Sequence, residues 1–151
     1  MFERPKIQQE KILKRLADLL DSIEKLRDFQ KMTLKEFEES PHSLAIVSTY
    51  MLHALEDIFG IGLHILSRLP DVQLTGEYAT VLPLLAKKKV IPEEYAKRNA
   101  AMSKYRNRLV HHYLDIETKE MHTIINEHLG DLENFAQYIK KVLEKPEKFG
   151  L

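Results

Sequence analysis

Apolar residues recur every three or four positions along most of this chain, and this spacing constrains its fold more than any other feature. The spacing matches one face of an α-helix, whereas a half-buried strand needs strict alternation. Only five glycines and six prolines are available to build turns. The sequence therefore predicts an all-α fold, an antiparallel four-helix bundle with short additional helices.

The periodic stretches and their flanking residues predict where the helices lie. The four long helices are expected at about residues 5–29, 43–68, 92–110 and 116–144. Two short helices are expected between them, one near residues 78–88 and one opened by a capping box of Thr33 and Glu36. Pro5 suits a first helical turn, and Gly130 is expected to bend the last helix.

A break between the third and last long helices is expected near Tyr113. Asp115 and Thr118 offer side-chain oxygens that suit the start of the last helix. The second long helix is apolar around much of its circumference, which is typical of the central helix of a bundle.

Length and composition restrict the class of protein. The 151 residues fit one domain, residues 1–151, and the absence of cysteine excludes disulfides, thiolate zinc sites and cysteine nucleophiles. No run of about 18 apolar residues occurs, so we expect a cytoplasmic protein that does not enter a membrane. The formal net charge of zero lacks a global basic excess, so any RNA must bind locally.

Arg106 occupies a position where the third long helix should present a core residue. The apolar and aromatic stripe of that helix passes through it at helical spacing. A buried arginine needs a partner, and one explanation is an ion pair with Glu56 or Asp57 of the central helix. The other explanation is a cleft in which Arg106 binds a phosphate through two N–H groups.

His111 favours the cleft, because an imidazole accepts and donates protons near neutral pH. Metal-free RNA cleavage needs a base for the 2′-hydroxyl proton, a cation for the phosphate and an acid for the leaving oxygen. In a regular helix, however, Arg106 and His111 project about 140° apart, whereas Arg106 and Tyr113 come within about 20°. Either the helix breaks before His111, or a second copy of the chain completes the site.

The run from Arg106 to Tyr113, RNRLVHHY, resembles the signature of the HepT toxins, which belong to the HEPN class. That signature is an arginine, four to six residues, a histidine, any residue and a tyrosine. The residues before it, Ala54 to Ile58 on the central helix, and the total length also resemble this family. The resemblance therefore covers nearly the whole chain.

This resemblance implies a HEPN fold, a homodimer and an endoribonuclease that needs no metal or other cofactor. Its active site would contain Arg106 and His111, with Asn107, His112 and Glu56 in supporting roles. Asn107 would orient one of the two histidines. The implied partner is a minimal nucleotidyltransferase antitoxin, which transfers AMP from ATP onto the motif tyrosine, here Tyr113.

Other arrangements of polar residues carry less weight. His53 with Glu56, and His122 with Asn126, have helical spacings that suit metal ligands, but the further glutamates of a di-metal bundle are missing. His53 and His64 share a helix face, which a half-exposed polar seam explains equally well. The alternative function is a non-catalytic HEPN-type protein that binds a nucleotide or a nucleotidyltransferase.

Overall fold

The protein is a bundle of helices in a computed structural model that describes residues 5–112 and 115–151. Within these ranges there is no β-strand, which confirms the predicted all-α class. The α-helices and their bounds are α1 Gln9–Asp28, α2 Leu34–Glu38, α3 Pro41–Ser67, α4 Val81–Lys87, α5 Glu93–Arg98, α6 Met102–His111, α7 Thr118–Glu127 and α8 Leu129–Glu144. Short 3-10 turns lie at Phe29–Lys31, Tyr78–Thr80 and Pro146–Phe149.

The two longest helices, α1 and α3, run antiparallel and make the most extensive contact in the fold. The N–H of Gln8 donates to His64 Nε2 near one end, and Lys25 lies over the ring of Tyr50 near the other. Helix α3 also packs against α2, α4, α6, α7 and α8. It is therefore the central helix, as its all-round apolar sequence predicts.

One contiguous apolar core runs through the bundle. Its most fully buried large side chains come from α1, α2, α3, α5 and α8, and include Leu19, Ile23, Phe37, Ile58, Phe59, Tyr95 and Phe135. By length and composition alone, α3 is apolar enough to span a membrane. A central helix that is covered by neighbours on many sides has the same composition.

The first helix begins later than predicted, at Gln9, so Pro5 does not lie in its first turn. Residues 5–8 precede the helix and contact the end of α3 instead. The Gln8 N–H donates to His64, and Arg68 Nε donates to the Lys6 carbonyl at 3.4 Å. These tertiary contacts compete with the local helical hydrogen bonds.

The predicted third long helix is two helices, α5 and α6, with a turn at residues 99–101. Asn99 is buried at this break, and its side-chain amide donates to the Tyr95 carbonyl, which also accepts the Asn99 backbone N–H. An asparagine side chain that bonds to the backbone competes with helical hydrogen bonding. The Met102 N–H then closes a tighter turn onto the Asn99 carbonyl.

The predicted last helix is likewise divided, into α7 and α8, but the break lies at His128 rather than at Gly130. The proposed cap of α7 is also wrong, because the N-cap residue is Glu117 and it makes no side-chain capping bond. The capping box of Thr33 and Glu36 is confirmed, since each side chain accepts from the other's backbone N–H.

Candidate active site

Helix α6 carries the arginine and the first histidine of the motif on different faces. Leu109 is buried and points into the core, whereas Asn107, Val110 and His111 are exposed. Arg106 is half-buried at the edge of the core face. The sequence stripe therefore correctly places Arg106 near the interior.

Arg106 forms the ion pair that the sequence allowed as one explanation. Its Nε donates to Glu56 Oε1 at 2.6 Å, and only 19% of its side chain is exposed. Glu56 is the partner rather than Asp57, because Asp57 is turned towards α1 and contacts Arg15 of that helix at 3.3 Å. Burial, with the nearby charge of Asp18, raises the pKa of Asp57 to about 6.

The same guanidinium has two further contacts. Arg106 Nη1 donates to Asn107 Oδ1 at 3.1 Å, so the contact seen for this amide is with the arginine. Arg106 Cζ also lies 4.5 Å from the centre of the Tyr78 ring, at a distance typical of a cation–π contact. Three contacts therefore fix one side chain.

An open cavity of about 530 Å³ adjoins this cluster. It is lined by Arg106 and Asn107 together with Gly76, Glu77, Tyr78, Ala79, Ser103 and Lys104. Backbone and side chains of the 3-10 turn thus form one wall, and α6 forms the other. Sequence reasoning did not identify Tyr78, because nothing in its spacing connects it with the motif.

Helix α6 is continuous through His111, so it does not break before this residue. This removes the first of the two explanations for how Arg106 and His111 could meet. Over five residues of regular helix the two side chains diverge by about 140°. Within one chain, His111 is exposed and is not one of the described residues that line the Arg106 cavity.

The helix ends directly after His111. His112 is the C-cap residue with φ −139° and ψ 35°, and its exposed ring lies 6.4 Å from that of His111. Its Nδ1 is 3.8 Å from the Asp115 carboxylate. Tyr113, expected to be the modified residue, lies outside the described residues.

The neighbouring arginine of α6 has a different environment. Arg108 donates from both terminal nitrogens to the two carboxylate oxygens of Glu120, the second contact at 2.9 Å. This two-point bond with Glu120 raises the pKa of Arg108, and burial raises the pKa of Tyr105 beside it. Arg108 thus bonds to a carboxylate of α7 through both terminal nitrogens, whereas Arg106 bonds to Glu56 through Nε. Both arginines adjoin open cavities, of about 440 Å³ for Arg108 and about 530 Å³ for Arg106.

The histidines considered as metal ligands have other contacts. His122 Nε2 lies 3.0 Å from the Met32 carbonyl, His64 accepts from Gln8, and the ring of His53 meets that of Tyr50 edge-on. Glu56 is paired with Arg106. Residues 5–112 and 115–151 contain no group of three or more side chains suited to hold a metal ion.

Three solved structures are similar to this chain over most of its length. The cytosolic protein YutE of Bacillus subtilis, whose function is described as unknown, has a TM-score of 0.78 at 22% identity, covering 97% of this chain and 95% of its own. A mutant of the toxin–antitoxin MntA-HepT has a TM-score of 0.75 at 21% identity, with coverages of 86% and 98%. The toxin–antitoxin with AMP-PNP has a TM-score of 0.76 at 20% identity, with coverages of 86% and 97%.

At these identities the similarities establish the fold alone. No curated protein sequence matches the chain. A family model described as "Ribonuclease HepT-like" matches residues 19–139, a range that contains the whole motif and Glu56.

Proposed function

This chain belongs to the HepT-like ribonuclease family, and we propose that it is the toxin of a toxin–antitoxin pair that cleaves RNA in the cytoplasm without a metal ion. The catalytic residues in this proposal are Arg106 and His111. The observation that carries it is the environment of Arg106, a half-buried guanidinium held by several contacts beside an open cavity. Arg108 also adjoins a cavity and a tyrosine ring, but both of its terminal nitrogens bond to Glu120, whereas Glu56 bonds to Arg106 through Nε.

The proposed reaction needs only groups that the chain supplies. His111 withdraws the proton from a ribose 2′-hydroxyl, and the 2′-oxygen attacks the adjacent phosphorus. Arg106 stabilises the negative charge that develops on the phosphate oxygens. The bond to the 5′-oxygen breaks, and a protonated imidazole supplies the proton to that leaving oxygen. The products are a 2′,3′-cyclic phosphate and a 5′-hydroxyl.

The pairing of Arg106 with Glu56 is compatible with this role. Glu56 accepts from Nε, and the terminal nitrogens of a guanidinium are the pair that can bind a phosphate through two bonds. A carboxylate at Nε therefore orients the side chain and leaves its far edge for the substrate. Glu56 acts in this proposal as a positioning residue.

A homodimer completes the proposed site. Lys104, Asn107 and His111 are exposed and follow one another at intervals of three and four residues, so they form a ridge on the outer face of α6. A two-fold contact along this ridge brings His111 of one copy towards the Arg106 cavity of the other. In this arrangement Arg106 and His111 would act on the same substrate although α6 is unbroken.

The first test is cleavage of a defined RNA by the purified chain and its variants. Arg106→Ala and His111→Ala should each lower the cleavage rate by at least 100-fold, because removal of one transition-state contact or general base has an effect of that order. Arg108→Ala is the matched control, since it removes an arginine of the same helix that pairs with Glu120. Arg108→Ala should cleave at close to the wild-type rate. EDTA should not inhibit cleavage by the wild-type protein.

Circular dichroism would verify that each variant is folded. Wild-type rates in Arg106→Ala or His111→Ala would contradict the assignment of these residues. Loss of activity in EDTA that a divalent cation restores would contradict the metal-free mechanism. A folded wild-type protein that binds a nucleotidyltransferase or a nucleotide but cleaves no RNA would instead indicate the non-catalytic alternative.

The proposed partner is a minimal nucleotidyltransferase antitoxin that silences the toxin by adding AMP to Tyr113. Two similar structures are named as a toxin–antitoxin, one of them with AMP-PNP, which is an analogue of ATP. Tyr113 follows the two histidines directly in sequence. Each added nucleotide carries a negative phosphodiester that would compete with RNA for Arg106 and occupy space beside it.

Incubation with the antitoxin and ATP, followed by peptide mass spectrometry, tests this inhibition by AMP transfer. We expect AMP on the peptide that contains Tyr113, loss of RNA cleavage in the modified protein, and no modification in Tyr113→Phe. Tyr105→Phe is the control, because it removes the hydroxyl of the other tyrosine near the motif. Unchanged modification of Tyr113→Phe, or full activity of modified protein, would refute the proposal.

A further inference from the structure

Tyr78 lies between a buried aromatic ring and the guanidinium of Arg106. Its ring is nearly parallel to that of Phe59, with an interplanar angle of 4° and 5.1 Å between the ring centres. Phe59 belongs to the central helix and is 1% exposed, so it is a fixed support. Arg106 Cζ lies 4.5 Å from the centre of the Tyr78 ring. Phe59, Tyr78 and Arg106 therefore form one stack, which we call the Phe59–Tyr78–Arg106 stack.

This contact is closer than the other cation–aromatic contacts of the described residues. Arg98 over Tyr95 and Arg108 over Tyr105 are each at 5.6 Å, and Lys25 over Tyr50 is at 5.2 Å. A flat guanidinium gains most when it lies over an aromatic face, and the gain is larger where water is partly excluded. The half-buried position of Tyr78 meets that condition.

The turn that carries Tyr78 is held by its own hydrogen bonds. The Thr80 hydroxyl and backbone N–H both donate to the Glu77 carbonyl, at 2.8 and 3.2 Å. Gly76 precedes the turn with φ 81°, a left-handed conformation that favours glycine. The ring of Tyr78 is thus placed by the turn and by α3, independently of α6.

Two contacts of different geometry define the orientation of the guanidinium. Glu56 bonds to Nε and fixes the position of the group, but the plane could still rotate about the axis of that bond. An aromatic face 4.5 Å from Cζ restricts this rotation. Arg106, held in this way, lines the cavity together with Ser103 and Lys104.

We propose that Tyr78 is a positioning residue for RNA cleavage, which sets the plane of the Arg106 guanidinium so that its terminal N–H groups meet the scissile phosphate. This inference rests on the proposed ribonuclease function. Because the guanidinium acts on charge that develops in the transition state, loss of its orientation lowers kcat and changes KM little. Small misplacements of a catalytic group cost about 10- to 100-fold in rate.

The test compares Tyr78→Leu and Tyr78→Met, which remove the aromatic face, with Tyr78→Phe, which keeps the face and removes only the hydroxyl. We expect kcat to fall about tenfold or more in the first two variants, with KM within about threefold of wild type, and Tyr78→Phe to retain close to full kcat. Tyr50→Leu is the matched control, because it removes a half-buried tyrosine under a cation away from Arg106. Thermal melts identify which variants are folded. If Tyr78→Leu does not fold, Tyr78→Met is compared with wild type instead.

A second readout does not depend on activity. The Nε–H signal of Arg106, assigned by its absence in Arg106→Lys, should be displaced by the ring current of Tyr78 in ¹⁵N–¹H spectra. It should move towards the ordinary arginine position in Tyr78→Leu and Tyr78→Met, and stay in place in Tyr78→Phe.

Equal kcat in wild type, Tyr78→Leu and Tyr78→Met would overturn the inference while leaving the ribonuclease function intact. An unmoved Nε–H signal, or a loss of kcat in Tyr78→Phe equal to that in Tyr78→Leu, would also overturn it. A wild-type protein that cleaves no RNA would overturn the proposed function and this inference together.

Discussion

At the scale of single residues, the contacts of Arg106 serve its orientation more than the stability of the fold. The Glu56 side chain is 37% exposed, and ion pairs with that much solvent contribute about 0–1 kcal/mol. The contacts come from three separate parts of the chain, namely α3, the 3-10 turn at Tyr78–Thr80 and α6 itself. Ordering Arg106 through contacts from three parts of the chain costs side-chain entropy. The stability of the bundle does not require this arrangement. This favours a functional explanation for the cluster.

Asp57 provides a prediction about stability and pH. Burial raises its pKa in the folded protein to about 6, above the ordinary value of 3.8, although Arg15 partly offsets this. The folded state therefore binds more protons than the unfolded state between these values, and its stability falls as the pH rises through 6. Asp57→Asn should raise the free energy of unfolding at pH 7 by on the order of 1 kcal/mol and have little effect near pH 4.

Urea denaturation at a series of pH values between 4 and 7 measures this difference. Asp21→Asn is the control, because Asp21 is an exposed carboxylate of the same helix pair that contacts Lys25. The control should change stability little at any of these pH values. A gain for Asp57→Asn that does not depend on pH would contradict the raised pKa of Asp57. A loss of stability at pH 7 would show that Arg15 outweighs burial.

At the scale of the elements, the two helix breaks are linked through Asp131. The Tyr95 hydroxyl donates to the Asp131 carbonyl at 2.6 Å, and Arg98 donates to the Asp131 carboxylate at 3.1 Å. Helix α5, just before one break, is thereby attached to the start of α8, just after the other. Burial raises the pKa of Tyr95, so its hydroxyl stays a proton donor. Packing of α5 against the start of α8 therefore adjoins both breaks.

Replacing a helical glycine by alanine should have opposite effects on stability at two positions, Gly130 and Gly62. A methyl group at Gly130, in the first turn of α8, would meet no atom within 4 Å, whereas one at Gly62 in α3 would lie 2.6 Å from Val81 Cγ1 and 3.1 Å from Leu85 Cδ1. Gly130→Ala should stabilise the protein by about 0.5 kcal/mol, because alanine restricts the unfolded chain more. Gly62→Ala should destabilise it by about 1–3 kcal/mol through overpacking against α4.

Paired thermal and urea melts of the two variants and wild type measure these changes. The two glycines are matched, since each lies in a helix and neither has a positive φ. Gly62→Ala with wild-type stability would mean that α4 moves aside without cost. A destabilised Gly130→Ala would mean that the break at His128 needs a flexible neighbour.

At the scale of the whole molecule, the continuous helix α6 separates the two proposed catalytic residues. Their positions differ by roughly 7.5 Å along the helix axis and by about 140° around it. His111 is exposed and is not one of the described residues that line the Arg106 cavity. We therefore expect a site that uses both residues to draw them from two copies of the chain.

This geometry predicts that two inactive variants restore activity when mixed. A heterodimer of Arg106→Ala and His111→Ala chains contains one site with an intact arginine from one copy and an intact histidine from the other. After denaturation and refolding together at equal amounts, about half of the dimers are mixed and half of their sites are intact, so we expect about a quarter of the wild-type rate.

The measurement is RNA cleavage by the refolded mixture, with each variant refolded alone as the control. Light scattering should report a dimer at micromolar concentration for all samples. A mixture no more active than its components would mean that each site uses residues of a single copy. A monomer with full activity would contradict the dimer itself.

How much of this protein can be predicted from its sequence depends on the distance along the chain over which each interaction acts. The capping box of Thr33 and Glu36, the apolar central helix and the inward position of Arg106 follow from spacings of three and four residues, which helix geometry converts directly into shared faces. The sequence narrowed the partner of Arg106 to Glu56 or Asp57, and only the packing of α6 against α3 selected Glu56. The Asn99 side chain contributes locally to the first break. The contact with Tyr78 and the break at His128 had no local signal, because they arise where segments distant in sequence pack together. Their free energies come from tertiary contacts that override local propensity, and these contacts exist only once the bundle has formed.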